Sequence, residues 1–226
     1  MNKGIAAMHV REYRSPLAAG EKRVLIWLAE RMPPFVNSDH LTLLGFFGIL
    51  SSGIGFWVSA REVRALFLVI AGLAVNWFGD SLDGTLARVR SRQRPRYGYY
   101  TDHVLDLIGT AILVIGMALS GFMSPLVALG FLVAYLLVMA EVFLSTHVQR
   151  VFRMSFMGFG PTELRILLAI GTLFLFRKPV VRIAGAGPFL LFDVGGIVSI
   201  AGLTLALLVS AFRNIRALYR EEPLSR

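Results

Sequence analysis

The 226-residue sequence contains no cysteine. Disulfides, thiolate metal sites and a cysteine nucleophile are therefore excluded, and any metal must be held by oxygen or imidazole. Charge is scarce as well. Asp, Glu, Lys and Arg make up 16% of the chain, 56% is hydrophobic and mean hydropathy is +0.67, whereas soluble domains carry about 25% charged residues. That balance argues against a water-soluble domain and puts the chain in a membrane. Histidine is sparse, and His9, His40, His103 and His147 have no metal-ligand spacing. No secretory signal is expected, because Lys3, Arg11, Glu12, Arg14, Glu21, Lys22 and Arg23 interrupt any apolar core near the N-terminus.

What the chain has in quantity is apolar runs. About 20 residues are needed to cross a hydrocarbon core about 30 Å thick at about 1.5 Å rise per residue. Six stretches qualify or nearly so: Leu41 to Ala60, Ala65 to Ala87, Tyr99 to Ser120, Pro125 to Val148, Pro161 to Phe176 and Pro188 to Phe212, the fifth being the shortest. Lipid offers the backbone no hydrogen-bond partners, so each span must be a helix or part of a closed barrel. Continuous runs such as Phe131 to Ala140 lack the alternation of a barrel strand. The expected fold is therefore an all-α integral membrane protein with six transmembrane helices. Residues 1–40 would form a cytoplasmic leader, 41–213 the membrane domain and 214–226 a cytoplasmic tail.

The formal net charge of +9 would suit nucleic acid, but its distribution gives another reason for it. Eighteen of the 23 Lys and Arg residues fall before the first span, in the second and fourth loops or in the tail. The opposite side has Arg61, Arg64, Arg177, Lys178 and Arg182. The positive-inside rule then puts both termini and the even-numbered loops in the cytoplasm. In the leader, Leu17, Val24, Leu25, Leu28 and Met32 recur at helical spacing beside Lys22, Arg23, Glu30 and Arg31, with Trp27 available for the headgroup region. This predicts an interfacial amphipathic helix ended by Pro33 and Pro34, with packing on another cytoplasmic segment as the alternative.

Acidic side chains at the edge of a span are costly, about 2.5 to 3.5 kcal/mol each at the centre, so each needs a reason. Asp80 and Asp83 lie near the cytoplasmic end of the second span, Asp102 and Asp106 near the start of the third. At about 100° per residue each pair shares one helix face, about 60° and about 40° apart. Consecutive antiparallel helices would bring both pairs to one depth. Four carboxylates without thiolate or imidazole suit hard cations such as Mg²⁺ or Mn²⁺. Gly84, Ala87 and Arg88 fall in the same sector of the second helix, two leaving space and one supplying a fixed cation. Metals, close backbone approach and a guanidinium together describe a diphosphate site. A lone Asp-x-x-Asp would be explained by capping and salt bridges, but the whole ordered set points to chemistry.

The stretch Asp80-Ser81-Leu82-Asp83-Gly84-Thr85-Leu86-Ala87-Arg88, followed by Gly98-Tyr99-Tyr100-Thr101-Asp102-His103-Val104-Leu105-Asp106, resembles the signature of the CDP-alcohol phosphatidyltransferases. Eight fixed positions match in order. The loop between Arg88 and Gly98 has nine residues where that family usually has eight. The resemblance implies a transferase that attacks a CDP-linked donor with an alcohol and releases CMP. By position, Asp80, Asp83, Asp102 and Asp106 would bind two divalent metals, Mg or Mn, and Asp106 would be general base on the acceptor. Asp83, Gly84, Ala87 and Arg88 would line the CDP site. Ser38-Asp39-His40-Leu41-Thr42 looks like the segment that helps hold cytidine, which adds Asp39 and Thr42. Membrane lipid is an implied partner, as is a second copy of the chain in a homodimer; nucleic acid is not. The active site would face the cytoplasm, in a bacterium from the inner or plasma membrane.

Weaker signals remain. Glu163 and Arg165 could reach the acceptor or a lipid phosphate, while Thr162 as N-cap and Glu163 in the first turn is ordinary helix-start chemistry. Arg150 and Arg153 are candidate acceptor-phosphate ligands. Glu141 lies inside the fourth span and requires a partner. Asp193 reads as an interfacial or capping residue, His103 as structural, and Gly195, Gly196 and Gly202 as helix-packing surfaces. The donor is expected to be CDP-diacylglycerol, with transfer of a CDP-linked head group to diacylglycerol as the alternative. An ion or solute transporter is the rival from another class; clustering of the acids at one surface and the absence of an inverted repeat argue against it.

Overall fold

The structure, a computed structural model, describes residues 18–149, 161–183, 185–222 and 224. Seven helices are present among them: α1 (Ala18–Arg31), α2 (Ser38–Ser59), α3 (Leu66–Val89, entered through a 3₁₀ turn Val63–Ala65), α4 (Pro95–Leu119), α5 (Pro125–Gln149), α6 (Pro161–Leu175) and α7 (Leu191–Glu221). Each of the six expected apolar runs lies largely within one of these helices. Five of them are long and apolar enough to cross a membrane: α2, α3 with its entering turn, α4, α5 and α7. Helix α6 has 15 residues, about 22 Å of rise, which is shorter than a hydrocarbon core.

One departure from an all-α chain precedes α7. Strands β1 (Val180–Ile183) and β2 (Ala186–Leu190) form an antiparallel hairpin, pairing Val180 with Leu190 and Val181 with Phe189. Val180, Val181 and Ile183 are β-branched, and Gly185 at φ +81° supplies the left-handed residue the reversal needs. The last helix consequently starts at Leu191, after the expected Pro188, and runs on to Glu221.

Glycine lets α2, α3 and α4 approach each other closely. A Cβ added at Gly79 would stand 2.4 Å from the Gly45 nitrogen and the Leu41 oxygen, and one at Gly48 2.5 Å from the Asn76 nitrogen. Gly116 of α4 meets Gly53 of α2 just as closely. Asn76 secures the first crossing by donating from Nδ2 to the Gly45 oxygen at 2.9 Å. Such contact is how helices associate where no hydrophobic force separates side chains from lipid. Among the three glycines expected to pack α7, Gly196 does so, against Met123 and Val127, whereas Gly195 and Gly202 have nothing within 4 Å.

An apolar core gathers at the end of the bundle away from the aspartates. Phe56, Leu66, Val69, Leu73, Val114, Met117, Leu175 and Phe192 are buried there, with Phe56 and Phe192 edge to face at 5.8 Å. Asp193, in the first turn of α7, accepts from the Ser124 nitrogen at 2.6 Å and from its hydroxyl, and so ties the residue before α5 to α7. Glu141 finds its partners across the α5–α7 contact in Ser210 Oγ at 2.9 Å and Asn214 Nδ2 at 2.7 Å. His103 stacks on Tyr99, meets Phe143 edge-on and bonds through Nδ1 to the Tyr99 oxygen.

Helix α1 packs one face on the bundle. Leu25 and Ala29 are buried with Leu41, Leu82 and Leu86, flanked by Leu28 and Met32. Val24 and Trp27 are exposed, and the Arg31 guanidinium lies 4.4 Å over the Trp27 ring. Arg90 ties down the following loop by donating to the carbonyls of Met32, Pro33 and Val36. Arg150 and Arg153, together with Leu17 and residues before it, lie outside the described residues.

Candidate active site

Helix α2 begins at the level where α3 ends, and the site forms there. Asn37 opens α2 as a capping box, accepting from the His40 nitrogen while His40 accepts from the Asn37 nitrogen. Ser38 Oγ then donates to the Asp83 oxygen at 3.1 Å, and Thr42 Oγ1 to Asp83 Oδ2 at 2.6 Å. The Gly45–Gly79 crossing one turn further in sets this distance, since a side chain at either position would push Thr42 away from Asp83. Asp83 is 5% exposed, so its second oxygen counts too, and that oxygen accepts from the Gly84 nitrogen.

Asp80, Asp83, Asp102 and Asp106 line one small cavity of about 20 Å³, closed by Thr42, Gly45, Asn76 and the apolar Phe46, Ile49 and Leu105. A space of that size admits a single water or bare ion and no substrate. A second cavity of about 400 Å³ opens one turn nearer the helix ends, lined by Asn37, Ser38, Asp39, Leu86, Ala87, Arg90, Arg92, Gln93 and Arg94. Its rim is held by an ion pair between Arg94 and Asp39, with the Arg94 guanidinium 4.2 Å over the Tyr97 ring. The hydrogen bond to Asp39 raises the Arg94 pKa further above an already permanent charge.

The expected residues therefore distribute over two cavities. Asp39 and Ala87 line the larger, and Thr42 lines the smaller with the four aspartates. A Cβ at Gly84 would meet only Arg88 Nη1, at 3.3 Å. Arg88 is exposed and donates to Thr85 Oγ1 at 2.9 Å.

Two site residues carry no signal in the motif. Arg165 of α6 donates from Nε to Asn76 Oδ1 at 2.7 Å and from Nη2 to Asp80 Oδ2 at 2.6 Å. Its side chain is 16% exposed, against 30% for Asp80. Asn76 thus bridges the α2 backbone and Arg165. The capping expectation for Thr162 gives way here: Thr162 lies within α6 and its hydroxyl donates to Glu21 Oε1 at 2.7 Å.

Among the described residues no three acidic or histidine side chains close around one point as a finished metal site. The donor set nevertheless fits a hard divalent cation. All its ligands are oxygens, they come from two helices, and the cavity between them is ion-sized. Arg165 stands on Asp80 as the positive charge such a set requires.

The CDP-alcohol phosphatidyltransferase profile matches residues 36–210, from the loop before α2 to the last turns of α7. The archaetidylinositol phosphate synthase of Pyrococcus horikoshii is 29% identical over 86 residues, covering 38% of this chain and 43% of that protein. The matched segment is therefore less than half the relative's length. The family match spans the carboxylate cavity, the arginine-rimmed cavity and four of the five long apolar helices, and reaches well into the fifth. With most of its length covered, the chain belongs to the CDP-alcohol phosphatidyltransferase family.

Proposed function

We propose that the chain transfers a substituted phosphate from a CDP-linked lipid, of the CDP-diacylglycerol kind, to a polar alcohol and releases CMP. The observation that carries this reading is the convergence of four aspartates on an ion-sized cavity beside a larger, arginine-rimmed one. Two Mg²⁺ or Mn²⁺ ions held by Asp80, Asp83, Asp102 and Asp106, one within the ion-sized cavity and the second taken up at its mouth together with the diphosphate, would neutralise the charge on the diphosphate. Ala87 with Asp39, Arg90, Arg92 and Arg94 bounds the space for the nucleotide, and Gly84 leaves the backbone open to it. Arg88, on the same stretch of α3, would supply the guanidinium that clamps a phosphate.

The acceptor oxygen attacks the phosphorus distal to cytidine, the bond from that phosphorus to the CMP oxygen breaks, and the acceptor proton passes to Asp106. Displacement of this kind needs positioning and charge more than covalent help. Ser38 and Thr42 hold Asp83 still, while Asn76 and Arg165 hold Asp80. The relative named for making archaetidylinositol phosphate favours a lipid donor with a polar acceptor over transfer of a head group to diacylglycerol. Arg165 and Glu163 lie at the acceptor side in this reading.

The site faces the cytoplasm, both termini lie there, all six apolar helices cross the bilayer, and the chain works as a homodimer. The outer face of α1, with Val24, Trp27, Lys22 and Arg23 exposed, rests in the headgroup region. The test is CMP release from detergent-purified protein with Mn²⁺ or Mg²⁺. CDP-diacylglycerol is offered with a panel of alcohols and alcohol phosphates, and CDP-choline or CDP-ethanolamine with diacylglycerol in a separate arm. Acceptor-dependent CMP in the first arm is the expected result, abolished by Asp106→Asn and by chelation of the metal. CMP only in the second arm would reverse the direction, and silence in both from folded protein would remove the reading.

A further inference from the structure

Glu21 of α1 makes three contacts through one oxygen. Its Oε1 accepts from Trp77 Nε1 at 2.8 Å, Thr162 Oγ1 at 2.7 Å and Ser81 Oγ at 3.5 Å. The donors belong to α3 and α6, two helices whose own polar contact is Arg165 with Asn76 and Asp80. The registers interlock. Trp77 and Ser81 are one turn apart on α3 and directly follow Asn76 and Asp80, so α3 offers neighbouring ridges to Glu21 and to Arg165. Thr162 is three residues before Arg165, on nearly the same side of α6.

We propose that Glu21 is a positioning residue: by gripping the first turn of α6 against α3 it keeps Arg165 on Asp80, and so sets how readily the carboxylate cavity takes up a divalent cation. The inference rests on the reading above that Asp80 is a metal-binding carboxylate. Arg165 puts a unit positive charge on an oxygen that a metal needs, and a cation must displace or share with it. The more firmly α6 is tethered, the costlier that displacement becomes. The opening helix thus acts on the site through α6.

The test is a Mn²⁺ titration, followed by loss of the free-ion paramagnetic resonance signal, on the full chain in detergent without nucleotide. Arg165→Gln tightens Mn²⁺ binding about tenfold, the scale expected for removing one partly buried charge beside the site. Glu21→Ala tightens it about threefold, and adds nothing once Arg165 is Gln, because residues acting through one contact are not additive. Glu21→Gln keeps an acceptor oxygen and stays near wild type. Thr162→Val, which removes only the α6 donor, reproduces Glu21→Ala and carries the test if that variant fails to fold. An unchanged affinity in Glu21→Ala or Thr162→Val, or a Glu21 effect that persists undiminished without Arg165, overturns the proposal. Failure of wild type and Arg165→Gln alike to bind Mn²⁺ overturns the metal reading beneath it, which separates the two failures.

Discussion

The Thr42 hydroxyl has two acceptors and one proton. Asp83 Oδ2 lies at 2.6 Å and the Ser38 oxygen at 3.1 Å, and the charged, closer acceptor takes the proton. A carboxylate that is 5% exposed depends on such donors to satisfy and aim its oxygens. Thr42→Val keeps the shape and removes the donor, and is expected to lower kcat/KM for CMP release about 10- to 100-fold, as removal of outer-shell partners does. Thr42→Ser should retain most of the rate, and equal losses in both variants would mean that packing matters there more than the hydrogen bond. At this scale the convergence of the four aspartates was legible because their spacing lies within one short stretch. Arg165 was a candidate in the sequence, but its contact with Asp80 was not legible, and neither were Glu21 and Asn76, since these partners lie 31 to 141 residues away. Local periodicity holds no information about pairs that only the folded bundle creates.

Helices were readable from apolar length, but what brings them together is the distribution of glycine. Gly45 and Gly79 put backbone on backbone, and a side chain at 79 has no rotamer that avoids the Gly45 nitrogen and Leu41 oxygen. Gly79→Val is therefore expected to cost about 3 kcal/mol or more, at the upper end of overpacking penalties, in reversible unfolding in mixed micelles. It should also lower activity, because the same crossing sets the Thr42–Asp83 distance. Gly202→Ala, with nothing within 4 Å, serves as the control and should stay within about 0.5 kcal/mol of wild type. The hairpin escaped notice in the sequence because its strands are 4 and 5 residues long and sit between two apolar helices. Hydropathy runs straight through Pro188 into α7, and only the pairing of Val180 with Leu190 separates strand from helix.

At the scale of the whole molecule, α6 decides how many times the chain crosses. Its Arg165 meets Asp80 at the motif end, while its Leu175 joins Phe56, Leu66 and Phe192 at the other end. The helix thus traverses the bundle between the two levels despite its 15 residues. If it crosses, Arg182 lies opposite the motif and α7 returns the chain to the motif side. Should α6 remain on one side, Arg182 would face the cytoplasm and Arg220 the outside. The absence of native cysteine makes this directly measurable, since any introduced thiol is the sole target. Lys22, Arg61, Arg182 and Arg220 are all exposed and lie outside both cavities. In intact bacterial cells expressing the chain, a membrane-impermeant maleimide should label Arg61→Cys and Arg182→Cys. Lys22→Cys and Arg220→Cys should react only after permeabilisation. Labelling of Arg220→Cys from outside together with protection of Arg182→Cys would leave five crossings. Labelling of Lys22→Cys from outside would invert the molecule and put the aspartates on the face where the charge distribution least permits them.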